Sequence, residues 1–363
     1  MAVKTGLLTT YDIAENKVDV SPVLSMLILP ETPLLNKIGI AGQAVNSTRY
    51  EWWDDALPVF KTTLGAAYTA AAGSMTVAST DGIIAGAIIK VESSLYRVTN
   101  VNTGTKVLTI SVLENDADHA DGTTVEIISI AGVEAEEYTD MDYTQKVKRY
   151  NMTQIFRDYV KFSGTQLSVQ QYVNEDVFAD EVRRKLQRIR IWLEKAIING
   201  VRLEPSDNTT PRLLGGIRWF IGQNGITSSA AFSEANLKAF LKQIDEAGGV
   251  VKEAWMNPST MTNFLDLESS KIVVDKGDQT VGRKVKQYLS EYGDITLYTD
   301  SYIPANEIIV LDTSKLAVKP LKGRAAFYEE LAKTGDYVKG QLIGEYTLEF
   351  RNPDAAGLFT ITG

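Results

Sequence analysis

At 363 residues with 44% apolar side chains, the chain is long enough for two or three packed units and has the composition of an ordinary globular protein. It contains no cysteine and a single histidine, His119, which excludes disulfides, thiolate catalysis and cysteine-rich zinc sites and leaves little of metal or triad chemistry. A formal charge of −9 and a pI near 5.0 argue against a freestanding nucleic-acid binder built on a basic stripe.

The N-terminus lacks the apolar core and cleavage site of a signal peptide, and no apolar run reaches the roughly 18 residues of a membrane span, so a cytoplasmic location is expected. Residues 1 to about 45 hold short apolar pieces, Val23 to Leu29 and Leu34-Leu35, broken by Pro22, Pro30 and Pro33. Prolines at that density bar a long helix. Leu27, Leu29 and Leu34 therefore have little chance of local burial, and the segment reads either as an arm on another chain or as a strap on its own core.

Gln43 to Ala56 and Tyr143 to Phe156 are both strand-like, with polar side chains on each face. They bracket a compact apolar block, a layout that predicts a two-stranded ribbon with a small domain at its tip. An isolated ribbon is marginal in water and presents open edges, so it predicts a neighbouring chain to lie against. Trp52 and Trp53 must face opposite sides of it, as must Asp54 and Asp55. Together with Leu27, Leu29 and Leu34 these four are the candidate subunit-contact residues.

From about Leu64 to Ala131 short β runs alternate with Asp81-Gly82, Asn102-Thr103-Gly104 and Asp121-Gly122, which predicts a small barrel or sandwich inserted in the ribbon. His119 falls in Asp-Ala-Asp-His-Ala-Asp-Gly and reads as a polar turn. Asp116, Asp118 and Asp121 fit a calcium loop poorly, because the glycine is one place late and position twelve is Ile127.

Ser168 to Gly200 carries the strongest helical period, with apolar residues from Val173 to Ile198 and expected solvated pairs Glu181–Lys185 and Asp180–Arg184. Beyond it the pattern predicts a helix over 233–247, a strand over 250–256, a helix capped at Ser259, a strand pair at 295–298 and 308–311, and tail strands at 341–350 and 358–361 that suit a sheet on one face of the long helix. There is no Gly-x-x-x-x-Gly-Lys-Ser/Thr or Gly-x-Gly-x-x-Gly loop, so no nucleotide cradle is predicted. Carboxylate pairs such as Asp54-Asp55 and Glu329-Glu330 diverge when they lie on strands and do not converge on one substrate atom.

Ser21-Pro22-Val23-Leu24 through Leu29-Pro30-Glu31-Thr32-Pro33-Leu34-Leu35, Glu51-Trp52-Trp53-Asp54-Asp55, Asn151-Met152-Thr153-Gln154-Ile155-Phe156 with Ser163-Gly164-Thr165, Glu329 to Asp336, and Gly344 to Glu349 follow one another in an order that resembles the major capsid proteins of tailed bacteriophages. The resemblance implies an α+β fold of the Hong Kong phage type, and the all-β insertion in its extended loop departs from the simplest members of that family. Laid on this sequence it implies an N-terminal arm (1–45), an extended loop (46–62 and 132–150), the insertion (63–131), a peripheral domain (151–211 and 319–363) with a spine helix at 168–199, and an axial domain (212–318).

It further implies a structural, non-enzymatic protein without cofactor or metal. Such a protein assembles with copies of itself as hexamers and pentamers in a shell around double-stranded DNA, without sequence-specific contacts and without a membrane. Portal, scaffolding or decoration proteins are possible further partners, and assembly in a host cytoplasm is expected. The alternatives are another virion component, a head decoration or tail protein, and a carboxylate-dependent hydrolase.

Overall fold

The computed structural model describes residues 32–55, 59–134, 146–169, 177–207, 209–265, 272–274, 285–333 and 335–362. Leu27, Leu29 and most of the expected arm lie outside these residues. The chain divides into two compact units, Trp53–Arg149 and the remainder.

In chain order, α1 (Pro33–Ile38) and β1 (Arg49–Asp54) are followed by β2 (Lys61–Thr63), β3 (Ser74–Thr76), β4 (Ala87–Val91), β5 (Ser94–Asn102), β6 (Val107–Glu114) and β7 (Thr124–Ile130). The chain then returns along β8 (Val147–Met152), which pairs with β1, and continues into β9 (Gln154–Ser163), α2 (Gly164–Ser168), α3 (Val177–Asn199) and α4 (Ile217–Asn224). Next come β10 (Ile226–Ala230), α5 (Glu234–Glu246), β11 (Glu253–Met256), α6 (Pro258–Leu265), β12 (Ile272–Val274), β13 (Val285–Ser290), β14 (Gly293–Thr299) and β15 (Glu307–Leu311). The last strands are β16 (Leu316–Pro320), β17 (Phe327–Leu331), β18 (Tyr337–Phe350) and β19 (Gly357–Ile361).

The unit Trp53–Arg149 is a six-stranded sheet in the order β2-β7-β4-β5-β6-β3. A bridge between Leu64 and Val77 joins its two edges and closes it into a small barrel. Met75, Ile89, Val91, Tyr96, Val98, Leu108 and Val125 fill the interior. At the Asp81-Gly82 turn Gly82 takes φ +75, and a Cβ there would press on the Val59 carbonyl, so only glycine suits the position.

His119 is not in an exposed turn. It is buried, stacks on Tyr68, and its ring nitrogens lie 3.1 Å from the Tyr96 hydroxyl and 3.3 Å from Glu92. Asp116 and Asp118 accept the Ala71 and Ala70 backbone N–H groups at 2.7 and 2.8 Å, and Asp116 also accepts the Tyr68 hydroxyl. These carboxylates tie one loop to another.

In the larger unit two sheets share the work. A four-stranded sheet has β18 at its centre, paired with β9 over ten residues, with β17 along part of its length and with β16 near its end. The inward side chains of β9, Phe156 and Val160, meet Ile189, Leu193 and Ile197 of α3 in one core with Leu342 and Leu348 of β18. The second sheet runs β10-β19-β15-β11-β14-β13-β12. Helix α5, opened by Ser233 capping Asn236, packs Phe240, Leu241 and Ile244 into its core with Phe359.

Four expectations change. The spine helix is described from Val177, not Ser168. Ser163 caps a separate short helix in which Ser168 is the last residue. Residues 295–298 and 308–311 do not pair with each other, because β14 and β15 flank β11, parallel on one side and antiparallel on the other. Strand β19 leaves the sheet over the spine helix and inserts between β10 and β15. The helix after Asn257-Pro258 is capped by the Asn257 side chain, which accepts from Ser259 N.

On the spine helix Lys185 meets Glu181 at 3.6 Å as expected, while Asp180 pairs with Arg183 at 3.2 Å.

Candidate assembly interface

Strand β1 alternates in exposure along its length, as a strand with one covered face must. Trp52 is 5% exposed and packs between Tyr50 and Phe220, with ring centroids 6.0 and 5.8 Å away. Trp53 is 63% exposed, with the Lys148 ammonium 5.8 Å from its ring centroid. Asp54 is buried against Arg149 at 2.8 Å, and Asp55 is exposed. The chain's own core therefore covers Trp52, and Asp54 is held by its own strand partner. Of the four ribbon candidates only Trp53 and Asp55 keep a free surface.

Leu34 is likewise covered by its own chain. Pro33 opens α1, where its missing N–H costs nothing, and Leu34 and Leu35 sink into the larger core at 2% exposure each. Their backbone N–H groups donate to the two oxygens of Glu194, each at 2.8 Å. Arg190 donates to the Asn36 side chain at 2.8 Å, and Lys37 donates to the Tyr298 hydroxyl at 2.9 Å. Residues 33–38 are thus a strap on the subunit itself.

Glu194 sits fully buried between Leu193 and Ile197 of α3, on the apolar side of the helix. Burial pushes its carboxyl up to about 8, and the neighbouring Asp300 carboxyl adds to the rise, against the pull of the two backbone donors. Asp300 is also raised by burial, and its other contact is the Tyr302 N–H at 2.8 Å. Two carboxyls in one dry site cannot both ionise cheaply, so each holds the other's proton affinity up. A carboxylate on the apolar face of the helix was visible in the sequence; its partners, about 160 residues upstream and 106 downstream, were not.

Further charges are buried with partners. Burial alone would raise Glu349, but Lys319 at 2.5 Å and Arg351 at 2.5 Å outweigh it and hold the carboxyl below its usual range. Glu345 accepts from Thr153 at 2.6 Å and meets Arg212 and Arg324 at 2.9 Å each. Asp158 binds Lys185 and Arg188 of the spine helix. Each of these carboxylates is neutralised by its own subunit's cations and joins segments distant in sequence. Among the described residues no group of three His, Asp or Glu side chains could hold a metal ion, and no helix is long and apolar enough to cross a membrane.

A family model described as SU10 major capsid protein matches residues 5–363. The chain belongs to the SU10 major capsid protein family. No curated protein sequence matches it. Among solved structures, the cyanophage A-1(L) capsid asymmetric unit aligns at a TM-score of 0.57 with 13% identity, covering 98% of this chain and 99% of that one. The capsid of an empty GTA particle aligns at 0.56 with 10% identity, covering 98% and 100%, and Mycobacterium phage Bobi at 0.51 with 10% identity, covering 98% and 99%.

This SU10-type chain thus has the α+β Hong Kong phage type capsid fold and is a structural, shell-forming protein of tailed phages. Buried carboxylates neutralised by their own subunit suit that structural role.

Proposed function

We propose that copies of the chain form the hexamers and pentamers of a phage head, with the ribbon of 46–62 and 132–150 lying on the adjacent copy. The observation that supports this most is Trp53, a large aromatic held out of the subunit at 63% exposure on a strand whose other face is already covered. Residues before the α1 strap, including Leu27 and Leu29, supply apolar surface for a second contact. In this reading the four-stranded sheet with α3 is the peripheral domain. The seven-stranded sheet is the axial domain, taking in β19 as well as 212–318. The shell encloses double-stranded DNA without sequence-specific contacts, assembles in the host cytoplasm, and takes a portal and scaffolding or decoration proteins as partners.

Negative-stain electron microscopy of the purified chain tests the reading. Capsomers or closed particles are expected, and Trp53→Ala should lower their yield. A parent chain that stays a monomer or small oligomer at all concentrations would overturn it.

A further inference from the structure

We infer that Glu194 of the spine helix and Asp300, the residue after β14, form a proton-operated joint between that helix and the seven-stranded sheet. It is closed while one of the two carboxyls carries a proton, and it opens on the Asp300 side, with α1 still held by Glu194, when both are ionised. The joint lies inside one subunit, so it operates whether or not copies assemble.

Glu194 is 0% and Asp300 1% exposed. One oxygen of Asp300 accepts the Tyr302 N–H at 2.8 Å. Its other oxygen is buried and meets no N–H or hydroxyl donor among the described residues; the side chain beside it is the Glu194 carboxyl. A carboxylate has no hydrogen to give, and a protonated carboxyl has one. The closed contact therefore needs a proton.

From its other side Glu194 is pulled toward the ionised form. The Thr32 side chain does not cap α1, and the two Glu194 oxygens serve instead by accepting the Leu34 and Leu35 N–H groups at 2.8 Å each. Those bonds favour the carboxylate. Loss of the proton thus strengthens the hold on α1 while setting two like charges against each other in a dry site. The contact that gives way is the one to Asp300.

Among the described residues no cation relieves that repulsion. On α3 Arg190 donates to Asn36, and Lys195 lies 5.1 Å from the Tyr302 ring centroid. On α1 Lys37 donates to the Tyr298 hydroxyl, with Glu253 of β11 at 3.5 Å. Burial, and then the two carboxyl charges, keep the Tyr302 hydroxyl protonated. Burial and Asp300 raise Glu194 to about 8, so the joint is closed below that pH and opens as pH rises through it. Opening stays local, because Asn199 donates to the Tyr302 carbonyl at 2.9 Å and Arg218 on α4 to Glu307 at 2.7 Å.

Hydrogen exchange of the full chain, corrected for the base catalysis of exchange itself, tests this. Between about pH 6 and about pH 9.5, exchange in residues 299–307 should rise about tenfold while Leu34 and Leu35 change by less than about twofold. Asp300→Asn supplies an amide that donates to Glu194 at every pH and should abolish the rise. If that variant does not fold, Glu194→Gln, whose amide donates to Asp300, should abolish it equally. Three results overturn the inference: residues 299–307 equally protected at both pH values, a folded variant that responds to pH as the parent does, or α1 opening together with 299–307, which would make the strap and not the joint the part released.

Discussion

Trp52 and Trp53 are adjacent on β1 and differ from 5% to 63% in exposure. The difference separates folding from assembly at neighbouring positions. Trp52→Ala removes a ring packed on Phe220 and should cost the subunit about 3–5 kcal/mol, seen as a lower denaturant midpoint. Trp53→Ala should shift subunit stability by no more than about 0.5 kcal/mol and raise the concentration needed for particles. Equal stability losses in the two variants would contradict the assignment.

The Glu194–Asp300 pair predicts a pH dependence of definite sign. Glu194 titrates near its ordinary 4.5 when unfolded and about 8 when folded, so between those values the folded chain binds the extra proton. The associated stability is fully present below about pH 4.5 and is lost as pH rises through about 8. The upper bound on that loss is about 5 kcal/mol. Glu194→Gln should flatten this slope in urea titrations between pH 5 and 9. Because a Gln side chain has one acceptor oxygen, it should also loosen α1, readable as faster amide exchange at Leu34 or Leu35. An unchanged slope would mean that the proton taken up on folding resides elsewhere.

Lys61 to Ile130 has its own buried set and closed strand order. Expressed alone, this piece should give a β-type circular dichroism spectrum with a cooperative melt, and the chain with it replaced by a short turn should remain folded. Failure of both would show that the barrel depends on the rest of the chain.

Removal of residues 357–363 should unfold the larger unit. It deletes β19 from between β10 and β15 and empties the place of Phe359, which is fully buried against Phe240. The shortened chain is expected in the insoluble fraction; a soluble chain with native-like near-ultraviolet dichroism would contradict the sheet order.

Local periodicity carries local structure, and it was legible here. Alternation along 49–54 puts Trp52 and Trp53 on opposite faces whatever the partner, and the turns at Asp81-Gly82 and Asp121-Gly122 punctuate the barrel strands because glycine takes their positive φ at the least cost. The order of collinear motifs carried the capsid resemblance that the family match bears out. What tertiary structure decided is which faces meet. Period 2 says that Ile295 and Ile308 belong to strands, but only the pairing of β11 with β14 on one side and with β15 on the other makes β11 their common neighbour.

The same holds for β19, for the choice of Trp52 over Trp53 as the covered ring, and for Glu194. Whether a carboxylate on an apolar helix face is a fault or an anchor depends on two backbone N–H groups about 160 residues away, and no local pattern encodes a contact at that separation.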